Sequence, residues 1–563
     1  MFIFSGGFMF CRCQQNFQKT KYTLKPYKFF QILIILLSAI LLITGCFGSS
    51  MKIHENDSDF VTTAGRGEAL TIVAGSEHKV LEPILENYAK QSKKKIEVTY
   101  LGSLDIMRQL QSGEVEYDAV WPASTLWLTM GDEHHLLKHV ETTAITPVIF
   151  GIKQSLAEEL GFTDRSDIVL EEIIQAIEND QLNFAMTSAT QSNSGASAYL
   201  GFLTALSKNP EAGFTKEDLA DPLLQEKILS LLSGVNRSSG SSNWLVDLFL
   251  MGDYNAMVNY ETLIIQTNEQ LEAQGKETLY AVYPVDGLSI SDSPLGYVNK
   301  GDAKKEEAFL EFQEYILSDE AQSEIEKTGK RNSYGKVRDE NKIYYKPEWG
   351  IQVDKVLSPL RFPPTEVIEE ALTLYQTSFK KPAYTVYILD YSSSMRGDRQ
   401  EQMVDALAQV LLPENAKQHL LLGTQQDQTI IIPFSSEPMD AQEKSGNDLT
   451  ELYDFVESTF AGGNTAMYEA TLAGLEIIKN EPDLAKYNPA IVLLTDGEAN
   501  GDLDYFDLEA SYLNLKIDVP IFSIKFGDSA DDQLDMIASL TNARVFDGRE
   551  NLIEAFRSVK GYN

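Results

Sequence analysis

The run Tyr384-Thr385-Val386-Tyr387-Ile388-Leu389 constrains this chain more than any other stretch. It is continuously apolar and β-branched, and Pro382 bounds it. Such a run predicts a strand buried on both faces, as at the centre of a parallel sheet. The polar cluster Asp390-Tyr391-Ser392-Ser393-Ser394 follows directly. It therefore falls at the strand's carboxyl end, where open α/β sheets place their ligand sites. One carboxylate and two alternating hydroxyls offer hard oxygen ligands, which suit Mg²⁺, Ca²⁺ or Mn²⁺.

Two later stretches add to this cluster. Gly462-Gly463-Asn464-Thr465 precedes a helical pattern over 466–479 and supplies another hydroxyl at Thr465. Ala490-Ile491-Val492-Leu493-Leu494 predicts a second buried strand, which ends in Thr495-Asp496-Gly497-Glu498. Asp-x-Ser-x-Ser, then Thr, then Asp-Gly, in this order and on these elements, resembles the metal-ion-dependent adhesion site of von Willebrand factor A domains. The resemblance spans about residues 382–560. It implies that Ser392 and Ser394 bind the metal directly, and that Thr465 does so directly or through water. Asp390 and Asp496 would act largely through bound water. The sixth position would stay open for an Asp or Glu carboxylate from a partner protein. The pattern departs at Ser393, where the family has glycine, but this removes no ligand. The plainer reading, in which the hydroxyls only cap helices, would leave Asp390 and Asp496 as converging like charges with nothing between them.

A chain of 563 residues is too long for one core and predicts two or three domains. Its net charge of −36 argues against nucleic-acid binding, because phosphates would be repelled. Residues 1–45 stand apart: Arg12, Lys19, Lys21, Lys25 and Lys28 are basic, no residue is acidic, and an apolar run over 29–42 follows. This pattern is that of a secretory signal. Ile43-Thr44-Gly45-Cys46 resembles a bacterial lipobox, which implies lipidation at Cys46. An uncleaved membrane anchor is the alternative. Both place the remainder at the extracytoplasmic face of a bacterial membrane. No cysteine follows Cys46, so no disulfide can staple the body. Residues 46–68 are polar, with little apolar periodicity, and predict a tether.

From residue 69 to 340 the chain reads as a second α/β unit. Leu70–Ala74, Ile96–Tyr100 and Tyr117–Trp121 predict strands, with helical patterns between them. With Pro147–Ile152 and Pro294–Tyr297 as crossing and return segments, the layout resembles the two-lobed extracellular solute-binding proteins of ABC importers. That family implies a small solute held between the lobes by strand-to-helix loops, and an ABC permease as partner. Helix starts there offer free N–H groups suited to anionic groups. The matching positions are Gly75, Ser76, Glu77, Ser103 and Trp121 in lobe one. In lobe two they are Ser192, Asn193, Ser194 and Gly195, with Asn259, Tyr260 and Glu261. Against this, residues 192–195 also read as a plain helix cap, and Trp121 and Tyr260 as core. His134, His135 and His139 are close in sequence, with His135 and His139 expected on one helix face; a solvated face explains them more simply than zinc. No nucleophile–base motif, phosphate loop or dinucleotide fingerprint is present, so no catalytic residue is expected.

Residues 341–381 are too aromatic for a free linker and predict a segment packed on a lobe, ending in an amphipathic helix over 365–379. Residues 382–563 complete the second domain. The expected architecture is thus α/β throughout: a two-lobed periplasmic-binding-protein-like body, then a doubly wound, mostly parallel-sheet, Rossmann-like von Willebrand factor A domain. The expected function is metal-dependent binding of a protein partner by a lipid-anchored protein, with solute capture for an importer as the alternative.

Overall fold

The computed structural model describes residues 60–357, 359–418, 420–527, 531–549 and 551–562, which belong to one compact unit, Asn56–Asn563. The leader, Cys46 and the first part of the expected tether lie outside the described residues. No helix among the described residues is long and apolar enough to cross a membrane.

Thirteen described strands build the body: β1 (Phe60–Val61), β2 (Arg66–Gly75), β3 (Lys94–Leu101), β4 (Ala119–Trp121), β5 (Leu137–Thr142), β6 (Ala144–Lys153), β7 (Phe184–Thr187), β8 (Val235–Ser239), β9 (Ala256–Tyr260), β10 (Leu279–Val282), β11 (Ser289–Ser291), β12 (Pro294–Val298) and β13 (Arg331–Asn332). Lobe one has the order β1-β3-β2-β4-β12-β5 and lobe two β10-β6-β9-β7-β8. In lobe one, β2 pairs in parallel with β3 and β4. The helices Glu82–Ser92 and Ser103–Ser112 provide the crossovers that parallel neighbours require. The stretch expected as tether is already folded at Phe60: β1 pairs with β3, and Glu86 accepts from the Thr63 backbone N–H at 2.8 Å.

The chain crosses between lobes at Thr143 and returns at Ser293. Ala144 and Ile145 pair with β13, whereas the rest of β6 pairs with β9, β10 and β11. Fully buried Trp121 pins both crossings, its Nε1 donating to Thr143 Oγ1 at 2.9 Å and to the Ser293 carbonyl at 3.2 Å. Beside this hinge, Arg331 Nε and Nη2 donate to the two Glu261 oxygens at 2.9 and 2.8 Å, with neither side chain exposed to solvent. The segment after β13 packs on lobe two, as its aromatic content predicts. Tyr345 and Trp349 are buried, Trp349 Nε1 donates to Glu272, and Tyr199 OH donates to the Ala371 carbonyl on the helix Thr365–Leu374.

The third sheet is β14 (Ala383–Asp390), β15 (Gln428–Phe434), β16 (Gln442–Ser445), β17 (Asn488–Thr495), β18 (Ile521–Lys525) and β19 (Val545–Asp547), in the order β16-β15-β14-β17-β18-β19. Every pairing is parallel except that of the edge strand β16. All eight residues of β14 are buried, as the central run predicts.

Several local expectations are corrected. Leu420–Leu422 reads in sequence as an edge strand but opens none: Leu420 takes φ 53° in the turn after the helix Pro413–Gln418. The edge strand is instead Gln442–Ser445, whose polar residues carry no alternation to reveal it. His135 and His139 share no helix face: both have positive φ, in a turn and in β5. Residues 308–325, which read in sequence as one helix, divide between Ala303–Ile316 and Asp319–Lys327, because Ser318 caps the second by accepting from the Ala321 N–H.

Replacing Glu261 with Gln strands a buried guanidinium charge. The expected cost is about 3–5 kcal/mol, read as a lower Tm of the full chain; an unchanged Tm would show that the pair is dispensable.

Candidate metal centre and interlobe cleft

Parallel pairing of β14 with β17 sets Leu389 opposite Leu494. The next residues, Asp390 and Thr495, therefore meet at the carboxyl edge. Thr495 Oγ1 donates to Asp390 Oδ2 at 2.6 Å, and the Ser392 N–H donates to Asp390 Oδ1 at 2.7 Å. Burial pushes the Asp390 carboxyl above its ordinary range, and these two donors pull the other way.

The remaining side chains close around this point. Ser392 Oγ and Ser394 Oγ lie 2.9 Å apart, and Ser394 Oγ donates to Asp496 Oδ1 at 2.7 Å. A side chain begun at Gly497 would stand 3.8 Å from Ser394 Oγ and 4.0 Å from Thr465 Oγ1, so Thr465 shares the same space. Asp390, Ser392, Thr465 and Asp496 are buried, while Ser394 is exposed, so the cluster opens outward at Ser394. The structure links Asp390, Ser392, Ser394 and Asp496 by hydrogen bonds and places Thr465 beside them across Gly497. Three hydroxyls and two carboxylates form an all-oxygen donor set, which fits a hard divalent cation.

Three residues that the pattern did not single out shape this centre. Ser393, at the position where the family has glycine, accepts from the Gly463 N–H at 2.9 Å, and its own N–H donates to the Gly463 carbonyl at 3.1 Å. It thereby ties the Asp-x-Ser-x-Ser loop to the loop that carries Thr465. Thr495 was visible as the residue before Asp496 but not as a donor to Asp390. Arg399 had no signal: it is the second residue of the helix Asp398–Leu411, and its Nη1 lies 2.5 Å from Asp496 Oδ2.

The cleft between the lobes is closed. Asn243 Nδ2 donates across it to the Ser76 carbonyl at 2.6 Å, and Trp127 Nε1 of lobe one donates to Asn193 Oδ1 of lobe two at 2.5 Å. A cavity of about 50 Å³ remains, and Ser76, Glu77, Ser103, Ser192 and Asn193 are among its walls. Glu77 is buried, and its Oε1 lies 3.3 Å from His78 Nε2. Burial raises the Glu77 carboxyl above its usual range.

Other proposed solute contacts lie elsewhere. Gly75 packs beneath the Glu77 carboxylate. Trp121 pins the hinge, and Glu261 is occupied by Arg331. Buried Ser194 bonds to Thr187 and Ser242, and a side chain at Gly195 would fall 2.1 Å from the Thr187 carbonyl oxygen. Tyr260 OH accepts from Asn193 Nδ2 at 2.9 Å, and Asn259 Nδ2 donates to the Ser242 carbonyl. Ser103 and Ser192, which both read in sequence as helix caps, do not cap through their side chains: Ser103 Oγ accepts from the Ala123 N–H, and Ser192 Oγ bonds to Ser242 Oγ.

Comparison with known proteins agrees with both halves. Residues 70–331 match the model of the bacterial extracellular solute-binding protein family, and residues 386–554 match the von Willebrand factor type A domain. A search of curated proteins finds no match. Similar solved structures include a ferric binding protein from Campylobacter jejuni, with 14% identity and a TM-score of 0.40 over 54% of this chain and 98% of that one. They also include the maltose-bound MalE3 of T. maritima, with 14% identity and a TM-score of 0.39 over 55% and 93%. A substrate binding protein of an ABC transporter from Agrobacterium tumefaciens has 13% identity and a TM-score of 0.39 over 56% and 98%. The chain thus joins a bacterial extracellular solute-binding domain to a von Willebrand factor type A domain.

Thr495→Val removes the hydroxyl donor from a buried carboxylate oxygen. The expected loss is about 1–3 kcal/mol, read as a lower Tm in chelator. A Tm equal to wild type would show that Asp390 does not depend on that donor.

Proposed function

We propose that this protein binds a protein partner outside the cytoplasm through a divalent cation held at its C-terminal domain. A lipid on Cys46 would tether it to the membrane. The observation that carries the reading is the meeting of Ser392, Ser394 and Thr465 with Asp390 and Asp496 at a point open outward. Ser392, Ser394 and Thr465 would contact Mg²⁺, or Ca²⁺ or Mn²⁺, and the two aspartates would orient its water. The cation supplies positive charge on a strongly acidic protein, so a partner's Asp or Glu finds there the attraction that the surrounding surface denies it. The reading assigns no catalytic residue.

Titration with Mg²⁺ in a calorimeter tests this. Wild type is expected to bind, and Asp390→Ala and Ser394→Ala to bind at least tenfold more weakly. Equal binding by all three would remove the proposal. Arg399 competes for Asp496, so Arg399→Gln is expected to tighten the cation by about tenfold, or about 1.4 kcal/mol. Weaker or unchanged binding would show that Arg399 is no competitor. Capture of partners with and without chelator then identifies what the cation holds.

Solute capture for an ABC importer is the second reading. The small cavity, walled by both lobes and lined by the buried Glu77, favours it. A ligand at one hundred times its Kd adds about 2.7 kcal/mol of stability. A thermal-shift screen of small polar solutes should therefore show a hit, and no hit from a broad panel counts against an importer role.

A further inference from the structure

The last helix, Leu552–Gly561, lies across the mouth of the interlobe cleft and touches both lobes. On the side of lobe one, Arg557 Nη2 donates to Asp105 Oδ1 at 3.0 Å. On the side of lobe two, Gln191 Nε2 donates to the Arg557 carbonyl at 2.6 Å, and Ser238 Oγ donates to the Gly561 carbonyl at 3.2 Å. Gly561 sits so close to Gln191 that a side chain there would fall 2.0 Å from the amide carbon. A cavity of about 430 Å³ is bounded by Gly102 and Asp105 of lobe one, Gln191 and Gly240 of lobe two, and Arg544 and Tyr562 of the C-terminal domain. Gly102 and Gly240 also line the small cavity of the cleft. The pocket beneath this helix therefore adjoins the closed cleft at Gly102 and Gly240.

The two attachments differ in kind. The C-terminal domain is anchored on lobe two by Arg237, 6% exposed, which donates to Asp518 Oδ1 at 2.9 Å and to the Asn542 carbonyl at 2.7 Å. Its ion pair with lobe one is the partly exposed Arg557–Asp105, in which Asp105 Oδ1 also accepts from Arg108. An ion pair of that kind is weak and readily broken.

We infer that the C-terminal domain is a clasp on the solute-binding body: it rides on lobe two and holds lobe one through Arg557, so the lobes part only when that latch releases. Hinged lobes exchange what lies between them by parting, and here the parting is under the control of a second domain. The clasp is a property of the two-lobed body and does not depend on a cation or on a particular solute. A measurement of lobe separation therefore tests it independently of both readings above.

The absence of cysteine after residue 46 makes the measurement direct. Spin labels are placed at Lys90→Cys in lobe one and Glu226→Cys in lobe two, both exposed. The full chain carries Cys11→Ser, Cys13→Ser and Cys46→Ser. Pulsed dipolar spectroscopy should give one narrow distance. Arg557→Glu, which sets a carboxylate against Asp105, should add a longer population, and combining it with Asp105→Arg should restore the short one. Arg557→Gln, which removes only the charge, replaces the reversal if the latter unfolds the domain by circular dichroism. A single unchanged distance in the folded variant overturns the clasp. So does a longer distance that Asp105→Arg fails to reverse.

Discussion

Leu389 opposite Leu494 is the pairing from which the C-terminal domain takes its chemistry. Parallel strands present their carboxyl ends on one edge, so this register sets Asp390 beside Thr495 and Asp496. A slip by one residue would turn alternate side chains to the wrong face and separate the carboxylates. The strands are buried on both faces, so the apolar side chains hold the register while the polar groups stand beyond the last apolar residue. Two anions in a largely dry place are unfavourable by themselves. Their cost is met by Thr495, Ser394 and Arg399, which gather around them.

A comparable economy governs the body. Glu261 and Arg331 are both removed from water beside the hinge, and each is satisfied mainly by the other. The pair joins the start of the helix Glu261–Ala273 to β13. The Arg331 guanidinium also donates to the carbonyls of Gln352, Val353 and Lys355. One buried cation thus fixes the hinge and the segment leading to the second domain. The aromatic residues after β13 complete that attachment through the lobe-two core.

Much of this was readable from sequence because it rests on local pattern. Continuous apolar runs ending in Asp, Ser or Thr mark strand ends, and a strand end is a place as well as a shape. Asp390, Ser392, Ser394 and Asp496 stand at or just beyond such strand ends, whereas Thr465 was read from the Gly462-Gly463-Asn464 stretch that precedes a helix. The cleft was read less well. Tyr260 and Glu261 stand at a strand-to-helix junction, but whether such a junction faces a cavity or a core depends on what packs above it. Trp121 and Glu261 are used internally, by Thr143 and Arg331, and no spacing in the chain announces either partner. His135 and His139 misled because a separation of four residues suggests a helix, whereas a positive φ at each prevents one. Arg399, Arg557 and Arg237 carry no pattern at all. A lone arginine in sequence looks the same whether it faces water or closes a contact between domains.

Arg237 has a consequence for how this protein can be taken apart. Its side chain is nearly excluded from water and donates to Asp518 and to the Asn542 carbonyl of the other domain. The two domains are therefore not beads on a string. A lineage or an engineer exchanging the second bead for another would inherit a bare arginine, and a Trp244 ring stripped of the Arg544 that now lies over it. Transplanting the recognition head onto a new body would require carrying its underside along with its tip.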